Sequence, residues 1–303
     1  MPTPDSTGSS VRVILEDRSV SPSSLCSYHL YPGQLLRFGR EPDVNDVAIV
    51  HSAVSRKHLE FYVIMFDDGP DHRPMVYVRD RQSTNGTFVN GHIIGQGTLK
   101  TPGRLLSNYD SVTIEPYWRF TIDEDITSTI KNSLPPLRPT DAKAIKHFKI
   151  TSRSLGSGAY ATVFLAEDRK THQQLMCKAH QLDRLSGDYI KRAEREAAIL
   201  SQLDHPNIMA FKQAFRSSTA FLLFAELATG GDLYSLLITR GCLSELETKW
   251  VVRQVVLALD YMHTKGIAHR DLKLENILCA VCPSPTDRFV TLKQGSVNID
   301  VVL

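Results

Sequence analysis

The stretch "GIAHRDLKLENIL", residues 266–278, decides the fold of the second half of this chain. It sets His269, Arg270, Asp271, Lys273 and Asn276 in one short loop, with apolar residues on either side. A loop whose only task is to stay hydrated has no use for that mixture. Phosphoryl transfer does, because it needs a base to orient a hydroxyl, a metal ligand and positive charge on the moving phosphate. Asp271 can accept the hydroxyl proton, Lys273 can steady the phosphate and Asn276 can hold a metal. Leu272, Ile277 and Leu278 anchor the loop to a core.

Upstream, "SELETKWVVRQVVLALDYMHTKG" reads as a helix. Ser244 and Glu247 fit a capping box and Gly266 a C-terminal cap. Its expected core face is Trp250, Val251, Val255 and Leu259. Before it, "GDYIKRAEREAAILSQL" is also helical, and "FKITSRSLGSGAYATVFLAEDRKTHQQLMCKAH" reads as strands around a glycine-rich turn. Glycines 156 and 158 let backbone N–H groups approach a phosphate, although an ordinary hairpin turn would use them too. Lys178 in the apolar run "LMCK" asks for an anion. Glu196 shares a helical face with Ile199, Leu200 and Leu203 and points inward to meet it. A surface salt bridge is the alternative for that pair.

In order, "LGSGAYATV", Lys178, Glu196, "HPNI", "AELATGGDL" and "HRDLKLEN" resemble a eukaryotic protein kinase, and "HRDLK" resembles its serine/threonine subgroup. The resemblance implies ATP and Mg2+ as cofactors. The ATP-binding residues it implies are Leu155, Gly156, Ser157, Gly158 and Val163 in the loop, Lys178 on the α- and β-phosphates with Glu196 holding it, Glu226 to Ala228 as the hinge on adenine, and Asp232 at the ribose. It makes Asp271 the catalytic base, Lys273 its phosphate partner and Asn276 a magnesium ligand. The loop's third glycine is Ala161 here. Met176 stands where a small residue is usual and Ala225 where a larger one is; Met176 is expected to fill part of the space that Ala225 leaves. The family pattern also places Asp-Phe-Gly within about twenty residues of the catalytic loop. This chain continues "CAVCPSPTDRFVTLKQGSVNIDVVL" without it, so the kinase domain is expected to be incomplete at its C-terminus.

The first half has a different texture. From "VRVIL" to "WRFTI", short alternating runs are separated by "YPG", "DDGPDHRP", "STNG", "VNG" and "TPG", the spacing of an all-β sandwich or barrel. Three clusters, "LLRFGRE", "SAVSRKHLEF" and "RQSTNGTFVNG", place Arg40, Ser55, Arg56, Thr84 and Asn85 in loops of that domain. They offer a guanidinium, hydroxyls and an amide, the donors a phosphate takes. Their order resembles the forkhead-associated (FHA) domain, a β-sandwich that binds phosphothreonine peptides. The resemblance puts Arg40, Ser55 and Thr84 on phosphate, Asn85 on the peptide backbone, and His58 inside as a brace.

The expected architecture is therefore multidomain. Residues 1–10 are disordered, 11–123 form the FHA sandwich, 124–147 a linker and 148–303 an α+β kinase domain comprising the small lobe and the start of the large one. A formal charge of +2 speaks against bulk electrostatic binding to nucleic acid. No apolar run reaches the roughly 20 residues of a membrane span. Five scattered cysteines do not form a disulfide framework, and Cys279 with Cys282 is a lone pair without a second half for zinc. A nuclear or cytoplasmic location follows, with phosphothreonine proteins and Ser/Thr-containing substrates as partners and a dimer as an option. The combination resembles the DNA-damage checkpoint effector kinases of fungi and animals, without their N-terminal Ser-Gln and Thr-Gln cluster. Two functions are consistent with this: a phosphothreonine-targeted serine/threonine kinase, or a catalytically inactive truncated form acting as a phosphopeptide-binding adaptor.

Overall fold

The computed structural model describes residues 10–65, 74–98, 101–124, 143–158, 160–182, 187–280, 292–294 and 300–301. The disorder expected at the N-terminus, most of the linker and Cys282 lie outside them. The chain divides into two compact units.

The first unit is two packed sheets. Strands β1 (Val11–Asp17), β2 (Ser24–Leu30), β3 (Leu35–Gly39), β4 (Val47–Ala48), β5 (Leu59–Ile64) and β6 (Met75–Asp80) are followed by β7 (Thr87–Val89), β8 (His92–Gly95), β9 (Arg104–Leu105), β10 (Val112–Ile114) and β11 (Trp118–Glu124). One sheet runs β2-β1-β11-β10-β7-β8 and the other β4-β3-β5-β6-β9. Alternation decides which way β1 faces: Val11, Val13 and Leu15 are buried while Arg12 between them is exposed, whereas β5 and β6 are buried at every residue. Phe38 and Phe61 come from one sheet and Phe120 from the other. Their rings meet at 4.8 Å (Phe38–Phe120) and 5.5 Å (Phe61–Phe120), which fixes the two layers face to face. The connections between strands are thereby gathered at the rim.

In the second unit Ile145 is buried beside Phe148 although it falls in the stretch read as linker. Strands β12 (Phe148–Ser157), β13 (Thr162–Asp168) and β14 (Gln174–Gln181) lead into helix α1 (Gly187–Leu200) and then β15 (Phe211–Arg216) and β16 (Ala220–Glu226). The strands form one antiparallel sheet in the order β12-β13-β14-β16-β15. Helix α1 buries Ala193, Ala197, Ile199 and Leu200, in one cluster with Phe221 and Leu223 of β16. Beyond come α2 (Leu233–Arg240), α3 (Glu245–Thr264), β17 (Ile267–Ala268) and β18 (Ile277–Cys279), with β19 (Leu292–Gln294) pairing β18 and β20 (Asp300–Val301) pairing β17. Among the described residues no helix is long and apolar enough to cross a membrane.

Helix α3 starts with the expected capping box: Ser244 Oγ accepts the Glu247 N–H at 3.3 Å, and the Ser244 N–H donates to Glu247 Oε2 at 2.9 Å. It ends at Gly266, whose φ of +69° is the left-handed conformation glycine adopts without strain. Its buried face differs from the one expected. Val251, Gln254, Ala258 and Met262 are buried, whereas Trp250, Val255 and Leu259 are only half-buried. Gln254 can lie inside because its carbonyl accepts the Asn207 amide at 3.0 Å.

Candidate functional site

The loops at the rim of the sandwich are tied together by their own backbone. The Arg40 N–H donates to the Ser55 carbonyl at 2.8 Å and the Glu41 N–H to the Arg56 carbonyl at 3.2 Å, so the "GR" and "SR" segments run side by side. Gly39 permits this approach, since a Cβ there would lie 2.4 Å from the Arg56 carbonyl oxygen. The Thr84 N–H donates to Ser55 Oγ at 2.8 Å, and that hydroxyl donates onward to Thr84 Oγ1 at 3.3 Å. Asn85 Nδ2 donates to the Ala53 carbonyl at 2.8 Å. Arg40, Arg56, Thr84 and Asn85 are exposed and Ser55 is half-buried beside them. Arg40, Ser55, Thr84 and Asn85 thus belong to one bonded cluster of loops in which Arg40, Thr84 and Asn85 are exposed. Arg56 enters this network through its carbonyl rather than its guanidinium.

Below the loops, His58 is fully buried. Its Nδ1 accepts the Ser55 N–H at 3.0 Å, so the ring proton sits on Nε2 and meets the Gly86 carbonyl at 3.1 Å. One neutral imidazole therefore joins both recognition loops. Burial holds its pKa below the usual range, with the Gly86 carbonyl and Asp80 opposing. The unfolded chain binds this proton more readily than the folded one, so stability is complete above the unfolded value of about 6.5 and falls as pH drops below it. We expect the melting temperature of the sandwich to fall between pH 7.5 and pH 5.5. A melt that is flat across this window would contradict the brace. Melting is the right readout because the phosphate of a phosphopeptide itself titrates near pH 6.

Sequence reasoning missed two supports. Asn45 Nδ2 donates to the carbonyls of both Glu41 and Arg56, each at 2.6 Å, while its Oδ1 accepts from Arg81 at 2.7 Å. Asp80, buried at the end of β6, accepts Ser83 N–H at 2.9 Å, Ser83 Oγ at 2.6 Å and Thr87 Oγ1 at 2.7 Å, which sets the turn carrying Thr84 and Asn85. Each also bonds a near neighbour, Glu41 four residues before Asn45 and Ser83 three residues after Asp80, but the contacts to Arg56, Arg81 and Thr87 come from other segments and have no local signal. Asn45→Ala leaves two carbonyls and one guanidinium group to re-solvate, a loss of about 1–3 kcal/mol at a half-buried site. We expect phosphopeptide affinity to drop about tenfold by calorimetry, although Asn45 offers its amide to the loops and not to a ligand.

In the second unit, strand register lines up the expected nucleotide residues. Gly156 pairs with Val163, Val163 with Lys178, and Lys178 with Leu223, one row across four strands. The glycine turn closes through the Gly158 N–H to the Ala161 carbonyl at 2.8 Å. Lys178 Nζ donates to both Glu196 carboxylate oxygens, at 2.9 and 3.0 Å, with the two side chains only 17% and 15% exposed. That burial rules out a surface salt bridge and leaves a charged pair beneath the glycine loop. Met176 stands directly opposite Ala225, which is fully buried.

Residues 226–232 are fixed by backbone. The Glu226 N–H donates to the Ala210 carbonyl at 3.0 Å, the Gly230 N–H to the Cys279 carbonyl at 2.9 Å, and the Cys279 N–H to the Gly231 carbonyl at 2.7 Å. Asp232 is the N-cap of α2: its carboxylate accepts the Ser235 N–H at 2.7 Å and the Ser235 hydroxyl at 2.8 Å. This is the carboxylate that the resemblance assigns to a ribose, and each of its oxygens keeps a further lone pair beside the capping bond.

In the opening loop, Asn276 Nδ2 donates to the Asp271 carbonyl at 2.7 Å and to Asp271 Oδ2 at 2.9 Å. This orients the carboxylate and turns the amide oxygen of Asn276 the other way. Magnesium takes oxygen ligands and keeps several waters, with few protein groups and substrate phosphates supplying the rest. An amide oxygen beside a carboxylate fits that habit. Among the described residues no group of three or more His, Cys, Asp or Glu is arranged to hold a metal. Lys273 is exposed next to them, and His269 is buried, its pKa lowered by burial with Asp271 opposing.

A sandwich rim of phosphate donors and a lysine–glutamate pair under a glycine loop define two modules, and each has its family. The FHA domain matches residues 36–114 and the protein kinase domain residues 150–284. The chain carries an FHA domain followed by a protein kinase domain, and its relatives include serine/threonine-protein kinases, two of them meiosis-specific. It is 35% identical over 269 residues to the meiosis-specific serine/threonine-protein kinase mek1 of Schizosaccharomyces pombe, across 88% of this chain and 52% of that one. It is 31% identical over 280 residues to MEK1 of Saccharomyces cerevisiae, across 86% and 54%. To RAD53 of the same yeast it is 28% identical over 272 residues, across 80% and 32%. The chain thus spans about half the length of the first two relatives or less of the third.

Proposed function

We propose that this protein phosphorylates serine or threonine hydroxyls of proteins, using ATP and Mg2+, and that its FHA domain brings it to phosphothreonine-bearing partners. The observation that carries the proposal is the enclosed bidentate pair of Lys178 and Glu196. A lysine held by a glutamate keeps its charge and its place, and the strand row puts it next to Val163 and in line with the glycine turn at Gly156. Phosphoryl transfer depends on such positioning and on electrostatic stabilisation of the transferred group.

In this reading Lys178 orients the nucleotide phosphates, Leu155, Val163 and Ala228 flank the base, and the backbone between Glu226 and Ala228 meets its edge. Asp271 accepts the proton of the attacking hydroxyl, and Lys273 offers charge to the phosphate as it moves. Asn276 would hold magnesium through its amide oxygen; bound there, the ion supplies neutralisation of the phosphate oxygens. At the other module Arg40, Ser55 and Thr84 take the phosphate, and the Asn85 carbonyl meets a peptide N–H. We place it in checkpoint or meiotic signalling in the nucleus or cytoplasm; the meiosis-specific kinases of two yeasts among its relatives support the meiotic part.

The test is transfer of labelled phosphate from ATP to a serine/threonine peptide by the full protein, beside binding of a phosphothreonine peptide. Asp271→Ala is expected to stop the first and spare the second, and Arg40→Ala the reverse. Transfer that persists in Asp271→Ala would refute the assignment.

A further inference from the structure

Three rings from three elements of the second unit converge around the glycine-rich loop. Tyr160 of the loop packs against Tyr189 in the first turn of α1, with ring centroids 4.4 Å apart and the ring planes tilted by 35°. His180 of β14 lies 5.9 Å from Tyr189 and 6.0 Å from Phe221 of β16. His180 is only 2% exposed; the Tyr160 carbonyl bonds to its ring, while its Nδ1 is buried and has no hydrogen-bond partner among the described residues. Burial and the charge of Lys178 lower its pKa to about 4, so the ring is neutral at physiological pH.

The placement follows from two periods. His180 lies two residues beyond Lys178, hence on the same face of β14. Tyr189 lies two turns before Glu196, hence on the same face of α1. The strand and helix that form the Lys178–Glu196 pair therefore form a second contact further out, and the loop joins only that second one. Proximity is shared electrostatically too, since Glu196 and Tyr160 both help to raise the Tyr189 pKa, after burial.

We propose that Tyr160, Tyr189 and His180 form an aromatic clasp that latches the glycine-rich loop to α1, so that loop closure and the Lys178–Glu196 pair support each other; as a role in positioning nucleotide phosphates, this rests on the kinase reading of the same site. Tyr160 and Tyr189 are positioning residues here, since they act through the loop and the helix. Tyr160 remains 56% exposed, so burial alone does not hold it down. A ring pair of this kind shifts an open–closed equilibrium about fivefold, enough to bias the loop and weak enough to release it.

The test is amide hydrogen exchange on the full chain without nucleotide, followed by titration with a fluorescent ATP analogue. Tyr189→Ala is expected to speed exchange of the loop amides about fivefold, and Tyr160→Ala to do the same at the start of α1. Tyr189→Phe, which keeps the ring, should behave as the parent. Both alanine variants should weaken nucleotide binding by a similar factor. Loop exchange unchanged in Tyr189→Ala, or no reciprocal effect of Tyr160→Ala, overturns the clasp. Reciprocal exchange in a parent chain that binds no nucleotide would instead overturn the kinase reading, and with it the positioning role.

Discussion

Replacing Asp271 with alanine is expected to lower the rate of phosphotransfer by about 10²–10⁴ while changing ATP affinity by no more than a few-fold. The factor is that of a positioned general base. The geometry adds a second cost: Asn276 donates to both the carbonyl and the carboxylate of Asp271, so deleting the carboxylate removes one of the two bonds that orient the Asn276 amide. Asp271→Ala and Asn276→Ala should accordingly be non-additive, the double variant being little slower than Asp271→Ala alone. Lys178 and Glu196 lie outside this pair, which is why nucleotide binding should survive. Steady-state kinetics with separate kcat and KM for ATP decides it, and a rise in KM with unchanged kcat would place Asp271 in binding rather than chemistry.

The second large effect is expected at Arg40. A guanidinium on a dianionic phosphate makes charge-assisted bonds worth about 1.5–3 kcal/mol each, so Arg40→Ala should weaken a phosphothreonine peptide more than about a hundredfold. Arg56 makes the useful contrast. It carries the same charge on the neighbouring segment, yet what the loops use is its carbonyl, which alanine retains. Arg56→Ala should cost only a few-fold, and that loss should shrink as salt is raised. Equal losses from the two variants would mean that the rim attracts phosphate through general charge and not through a shaped contact. An unphosphorylated peptide should bind neither protein measurably.

Much of this was legible from residues alone. The spacing of short β-like runs between turn signals pointed to the sandwich, and the inward glutamate on α1 pointed to the partner of Lys178, because both are local patterns. The recognition loops were legible as clusters, since residues that bind one phosphate must lie in loops. What local pattern cannot supply is a partner on a distant strand. Asn45 and Asp80 hold their loops through groups that alternation treats as unremarkable polar positions. Helix α3 shows the limit clearly: apolar residues surround it, including the exposed Leu246, Val252 and Val256, so periodicity selects no single face. The buried face was set by an amide on Asn207, forty-seven residues before Gln254. The capping role of Asp232 was not read from the sequence, since a capping carboxylate and a ligand-binding one look the same there.

The way Asn45 holds the recognition rim bears on how such a module diversifies. Its amide grips the main-chain oxygens of Glu41 and Arg56 and ignores their side chains. Lineages can therefore exchange the residues at 41 and 56, and with them the preference for what flanks a phosphothreonine, without disturbing the fixed frame that grips the phosphate. Selection for new clients and selection for a stable anchor act on different atoms of the same residues.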